Sequence, residues 1–174
     1  MVTPLKSQTR RAKLIEIILL TLFGVLMYIS QVIMAPLPNI EIVSLLIIII
    51  TRKFGVKALC SVYVFVICEL FTYGMGVWSV NYLYVWTILW LLVFIIRWID
   101  STAVYTFVSG IYGIAFGTMC AIPYFFVGGI SMFVATVVSG FWFDILHCAG
   151  NLILTFLLYR PLMKAMNYLV KSDK

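Results

Sequence analysis

Three carboxylates and one histidine stand where charge is costly. Glu41, Glu69, Asp144 and His147 interrupt apolar runs, in "PNIEIVSLLIIII", "VFVICELFTYGMG" and "FWFDILHCAGNLIL". Such groups usually face a bundle interior or a transport pathway. Asp144, His147 and Asn151 are spaced by three and four residues, which puts them on one helical face. His147 is the only histidine and no HExxH is present, so no metal site is expected. Ser139 lies too far along the helix for a Ser-His-Asp arrangement with His147. No GxxxxGK[ST] occurs, so hydrolysis of ATP by this chain is not expected. Cys60, Cys68, Cys120 and Cys148 stand apart in apolar runs, as small hydrophobes rather than thiolate ligands. The chemistry anticipated is binding without catalysis and without an intrinsic cofactor.

The elements that position these groups are membrane helices. The 174 residues are 64% hydrophobic and 10% charged, with a mean hydropathy of +1.15. A soluble domain of this size cannot hide that much apolar surface. The expected class is all-α, a polytopic membrane protein of one domain with six transmembrane helices at about 14–35, 40–51, 56–75, 80–96, 103–124 and 140–159. The start, "MVTPLKSQTRRAKLIEIILL", is basic and then apolar. Its apolar run of about 22 residues exceeds a signal-peptide core, so it reads as a retained first span.

The net charge of +6 sits beside the apolar runs, which points to membrane topology and not to nucleic acid. Lys6, Arg10, Arg11 and Lys13 precede the first span. Arg52, Lys53 and Lys57 follow the second, and Arg97 the fourth. Arg160, Lys164, Lys171 and Lys174 end the chain, which accounts for all twelve basic residues. The positive-inside rule then predicts six crossings of the cell membrane with both termini cytoplasmic, 1–13 as a basic N-terminus and 162–174 as a tail. Residues 125–139 form the longest outer connection, uncharged and expected to lie on the membrane as a lid. Glu16, near the cytoplasmic end of the first span, is expected to snorkel or pair with Lys13.

The second span is too short. A dozen residues at 1.5 Å each reach about 18 Å, well under the hydrocarbon thickness. Arg52 and Lys53 fix its inner end, so Asn39 and Glu41 lie below the outer surface. Irregular backbone at that depth survives only inside protein or beside a water-filled cavity. The reading is that Pro38 sets the entry, Asn39 caps a helix starting at Ile40, and the helix tip walls a cavity open to the outside.

Aromatic residues crowd the same depth. "YGMGVWSVNYLYVW" supplies Tyr73, Trp78, Tyr82, Tyr84 and Trp86 beside Asn81, and "IPYFFVGG" supplies Tyr124, Phe125 and Phe126. Phe141 and Trp142 open the last span. About half fit an interfacial belt, and the others could stack on a flat ligand. The candidate ligand-binding set is Asn39, Glu41, Glu69, Tyr73, Trp78, Asn81, Tyr82, Tyr84, Tyr124, Phe125, Asp144, His147 and Asn151. Ser109, Gly113 and Gly117, spaced by four, form a small-residue stripe for close helix packing or for another membrane protein.

Short-looped spans, "LPNIEIVSLLIIIITRKFG", "NYLYVWTIL" and "IPYFFVGG…SGFWFDILHCAGNLIL" resemble the substrate-binding S components of energy-coupling factor (ECF) vitamin transporters, over most of the chain. "PNIE" with "FDxxHxxGN" resembles the cobalamin-type branch. The resemblance implies an ABC-type importer in which this subunit captures a vitamin outside. It also implies partners, namely a membrane coupling subunit and two cytoplasmic ATPases that use ATP. Cobalamin, or a related corrinoid, is the substrate it implies first, with another neutral or cationic vitamin as the alternative. Many members dock through AxxxA in the first span. Here "LLTLFGVLMYIS" offers only Thr21, Gly24 and Ser30, so Thr21, Gly24 and the Ser109 stripe are the candidate partner contacts. A self-sufficient proton-coupled carrier using Glu41, Glu69 or Asp144, and an intramembrane enzyme using Asp144 and His147, are the other classes weighed.

Overall fold

The computed structural model describes residues 4–171 and is helical almost throughout, with no strand among the described residues. Helix α1 is Pro4–Met34, α2 is Val43–Phe54, α3 is Ala58–Tyr73, α4 is Val77–Ile96 and α5 is Thr102–Lys171. A single 3-10 turn, Gly55–Lys57, joins α2 to α3. Four helical segments are long and apolar enough to cross a membrane: Arg10–Met34, Val43–Tyr73, Val77–Ile96 and Thr102–Val170. Their outward residues are Leu, Ile, Val and Phe, such as Ile17, Leu22, Ile33, Phe71 and Phe156, which suits contact with lipid.

Helix α2 is the centre of the bundle. Every residue from Val43 to Thr51 is buried, and α1, α3, α4 and α5 all pack against it. A helix this apolar all round can only be a core element. It ends at Gly55, whose φ of 58° turns the chain directly into the 3-10 turn. That conformation is open to glycine at little cost.

Helix α5 is a hairpin. Its backbone leaves helical geometry only at Gly128 and Gly129, the latter with φ 68°. The arms on either side run antiparallel. Tyr105 stacks on Tyr159, Ser109 bonds to Thr155, and the Gly117 N–H bonds to Asp144. The expected lid at 125–139 is therefore helical except at this glycine pair. The expected tail at 162–171 continues the second arm, and residues 172–174 lie outside the described residues.

Side-chain pairings give the helix directions. Lys57 meets Glu16, and the Ser61 hydroxyl donates to the Leu20 carbonyl, so α3 runs parallel to α1. Tyr63 reaches Thr87 while Phe65 meets Trp86 and Tyr82, so α4 is antiparallel to α3. Arg52 contacts Tyr159 and Glu41 contacts His147, so α2 runs parallel to the second arm of α5. The pairing of Glu16 with Lys57 replaces the one expected with Lys13. The Lys57 ammonium lies 2.6 Å from the Glu16 carboxylate, delivered by the 3-10 turn before α3 rather than by α1 itself.

The described basic side chains collect at one end of the bundle. There Arg52 lies against the Tyr105 and Tyr159 rings, donates to the Arg97 carbonyl and pairs with Asp100. Arg160 also reaches Asp100.

Candidate functional site

The opposite end holds a cavity of about 520 Å³. It forms because α1 stops at Met34 and α2 does not begin until Val43. The intervening stretch is a succession of turns, with Leu37 and Ile40 N–H groups bonded three residues back and Asn39 at φ 55°. Asn tolerates that left-handed conformation better than most residues. Asn39 is thus a turn residue and not the expected helix cap, and α2 starts three residues later than expected.

The cap is Glu41. Its Oε2 accepts the Ser44 N–H at 2.9 Å, and its Oε1 accepts from His147 Nε2 at 3.1 Å. A carboxylate at a helix N-terminus satisfies orphan N–H groups and opposes the helix dipole. This one also ties the α2 tip to the second arm of α5. Both side chains are buried, Glu41 at 7% and His147 at 2% exposure.

The mouth is lined by Ala35, Leu37, Pro38 and Tyr73, all exposed. The floor is Glu41, Glu69, Trp86 and His147, with Gln31, Tyr82 and Phe116 on the walls. Tyr82 stands edge-on to both Trp78 and Trp86, with ring centroids 5.3 and 5.6 Å apart. Gln31 donates to the Tyr82 hydroxyl at 3.2 Å, and Phe116 packs edge-on to His147 at 4.8 Å.

Several polar atoms around this space have no partner in the chain. Among the described residues, seven buried side-chain nitrogen or oxygen atoms lack a hydrogen bond. Four of them belong to cavity residues: Gln31 Oε1, Glu69 Oε1, Trp86 Nε1 and His147 Nδ1. Each unmade bond in a buried place costs about 1–3 kcal/mol. More than half of these atoms thus belong to residues around one cavity.

Of the expected binding residues, Asn39, Glu41, Glu69, Tyr73, Trp78, Tyr82 and His147 line the cavity. The others have different occupations. Asp144 accepts the Gly117 N–H at 2.8 Å, joining the two arms of α5. Asn151 donates to the Ser109 carbonyl and to the Ser44 hydroxyl. The Tyr84 hydroxyl donates to the Met119 carbonyl at 2.6 Å and shares that hydrogen with Asn81 Oδ1 at 3.1 Å. Tyr124 and Phe125 sit towards the hairpin tip, where Phe125 is exposed. Gln31, Trp86 and Phe116 escaped the sequence reading as site residues. Only the crowding of aromatics in "NYLYVW" hinted at Trp86.

The candidate partner contacts are mostly spent inside the chain. Gly24 is pressed against Val64 and the Ser61 carbonyl. Ser109 bonds across the hairpin, and Gly113 and Gly117 abut the second arm at Cys148 and Asp144. Thr21 alone of this set is exposed, its hydroxyl bonded to the Ile17 carbonyl of its own helix.

Comparison with protein-family models, with curated proteins and with solved structures finds no match to this chain.

Proposed function

We propose that this protein is a membrane-embedded substrate-binding subunit that captures a small organic nutrient at the cavity beside the α2 tip. The observation that carries the reading is the cluster of unpartnered polar atoms on an aromatic-lined cavity of about 520 Å³. That volume falls within the range of drug-sized ligand sites. It favours a neutral or cationic vitamin over the corrinoid suggested by the resemblance, because a corrinoid exceeds that size.

The proposal includes six crossings, with α2 and α3 and both arms of α5 each crossing once. Alternating helix directions support that count, and the basic residues gathered opposite the cavity support cytoplasmic termini in the cell membrane. As in the ECF S components it resembles, transport would draw on a membrane coupling subunit and two ATPases. The test is a screen of micronutrients against the purified chain without nucleotide. Saturable binding at one ligand per chain is expected. Uptake into vesicles should then require the partner subunits and ATP.

One observation favours a second reading. Glu69 is a buried carboxylate without a partner, as a proton-coupled carrier would require. Uptake by the chain alone, driven by a pH gradient and lost in Glu69→Gln, would replace the first reading with this one.

A further inference from the structure

The two carboxylates in the cavity differ in what surrounds them. Glu41 is fully engaged, by the Ser44 N–H and by His147. Glu69, at 3% exposure, receives no hydrogen bond or ion pair among the described residues. Among the described residues, no Lys or Arg lines the cavity. A buried carboxyl group with neither cation nor donor beside it is costly to ionise, and a guest that brings a positive charge offsets that cost.

The walls are suited to the same guest. Trp78, Tyr82 and Phe116 offer ring surface, and a cation within about 6 Å of such a ring is attracted to its face. The guest that suits both features combines positive charge with flat ring surface.

Resting on the reading of the cavity as a nutrient site, we propose that its ligand is a flat, cationic nitrogen heterocycle. Its charge sits at Glu69, and its ring face lies against Trp78 or Tyr82, whose rings stand perpendicular to one another. Anionic nutrients are excluded by the same carboxylates.

The test uses the purified full-length chain and three probes of similar ring size: 10-methylacridinium as the cation, acridone as the neutral form and anthracene-9-carboxylate as the anion. Binding is read by quenching of tryptophan fluorescence. The cation should bind at least about tenfold more tightly than the other two, a ratio within reach of a cation–π contact plus one ion pair. Glu69→Gln should abolish that preference. Because Glu69 holds no bond in the fold, the variant is expected to assemble normally. Equal binding of all three probes, or a preference untouched by Glu69→Gln, overturns the ligand class while leaving the cavity as a binding site. Absence of binding by every probe up to about 1 mM overturns both this proposal and the nutrient-site reading.

Discussion

Glu41 and Glu69 are the same residue type at the same cavity, yet their roles separate cleanly. Glu41 holds the fold: it caps α2 and anchors His147. Glu41→Ala should therefore lower thermal stability in lipid or detergent, by about 1–3 kcal/mol for the buried partners left unpaired. Glu69→Gln should leave the unfolding temperature unchanged or raise it, since it replaces a buried ionisable group that has no partner among the described residues. A loss of stability as large as that of Glu41→Ala would mean that Glu69 is structural. The sequence singled out both carboxylates and His147, because charge inside an apolar run is conspicuous. It grouped Asp144 and Asn151 with His147 because they share one helical face. Which residue on that face meets the cavity depends on the neighbouring helix. Gly117 lies against Asp144 and Ser44 lies near Asn151, and only at His147 does the neighbour give way to space.

At the scale of elements, hydrophobic periodicity and length located the helices well and the connections poorly. The short, buried α2 was legible from its dozen apolar residues between Pro38 and Arg52. Its true start was not, because the cap is a carboxylate two residues after the Asn that looked the part. The segment 125–139 was read as a loop for its glycines and its lack of charge. Lipid offers no hydrogen bonds to irregular backbone, so the chain stays helical up to the turn and concentrates the break in Gly128 and Gly129. The small-residue stripe on the first arm then lets the second arm approach. A Cβ added at Gly113 would sit 2.8 Å from the Cys148 backbone nitrogen, too close for any real contact. Gly113→Ala should thus destabilise by about 1–3 kcal/mol through forced separation of the arms. Gly140→Ala, where no atom lies within 4 Å, should be neutral or mildly stabilising. Melting curves of the two variants side by side check this. Equal effects would show that the arms are not in close contact at Gly113.

At the scale of the whole molecule, charge and cavity occupy opposite ends of one bundle, and α2 connects them. Its basic end is fixed by Arg52 among Tyr105, Tyr159 and Asp100, and its cavity end by Glu41 against His147. If the basic end is cytoplasmic, a cysteine replacing exposed Met75, at the cavity end, should react with a membrane-impermeant maleimide in intact cells. A cysteine replacing Lys164 should react only after permeabilisation. The reverse pattern would invert the orientation and aim the cavity inward. The central claim is that the space beside the α2 tip is a binding site, and a cavity-filling substitution tests it most directly. Ala35 lies exposed at the mouth, so a tryptophan there enters the cavity without disturbing the core. The measurement is calorimetric titration of wild-type and Ala35→Trp protein with whichever nutrient the binding screen returns. The account predicts one site per chain in the wild type and affinity lowered at least about 100-fold in Ala35→Trp, at an unchanged melting temperature. Undiminished affinity in a folded Ala35→Trp protein would contradict it.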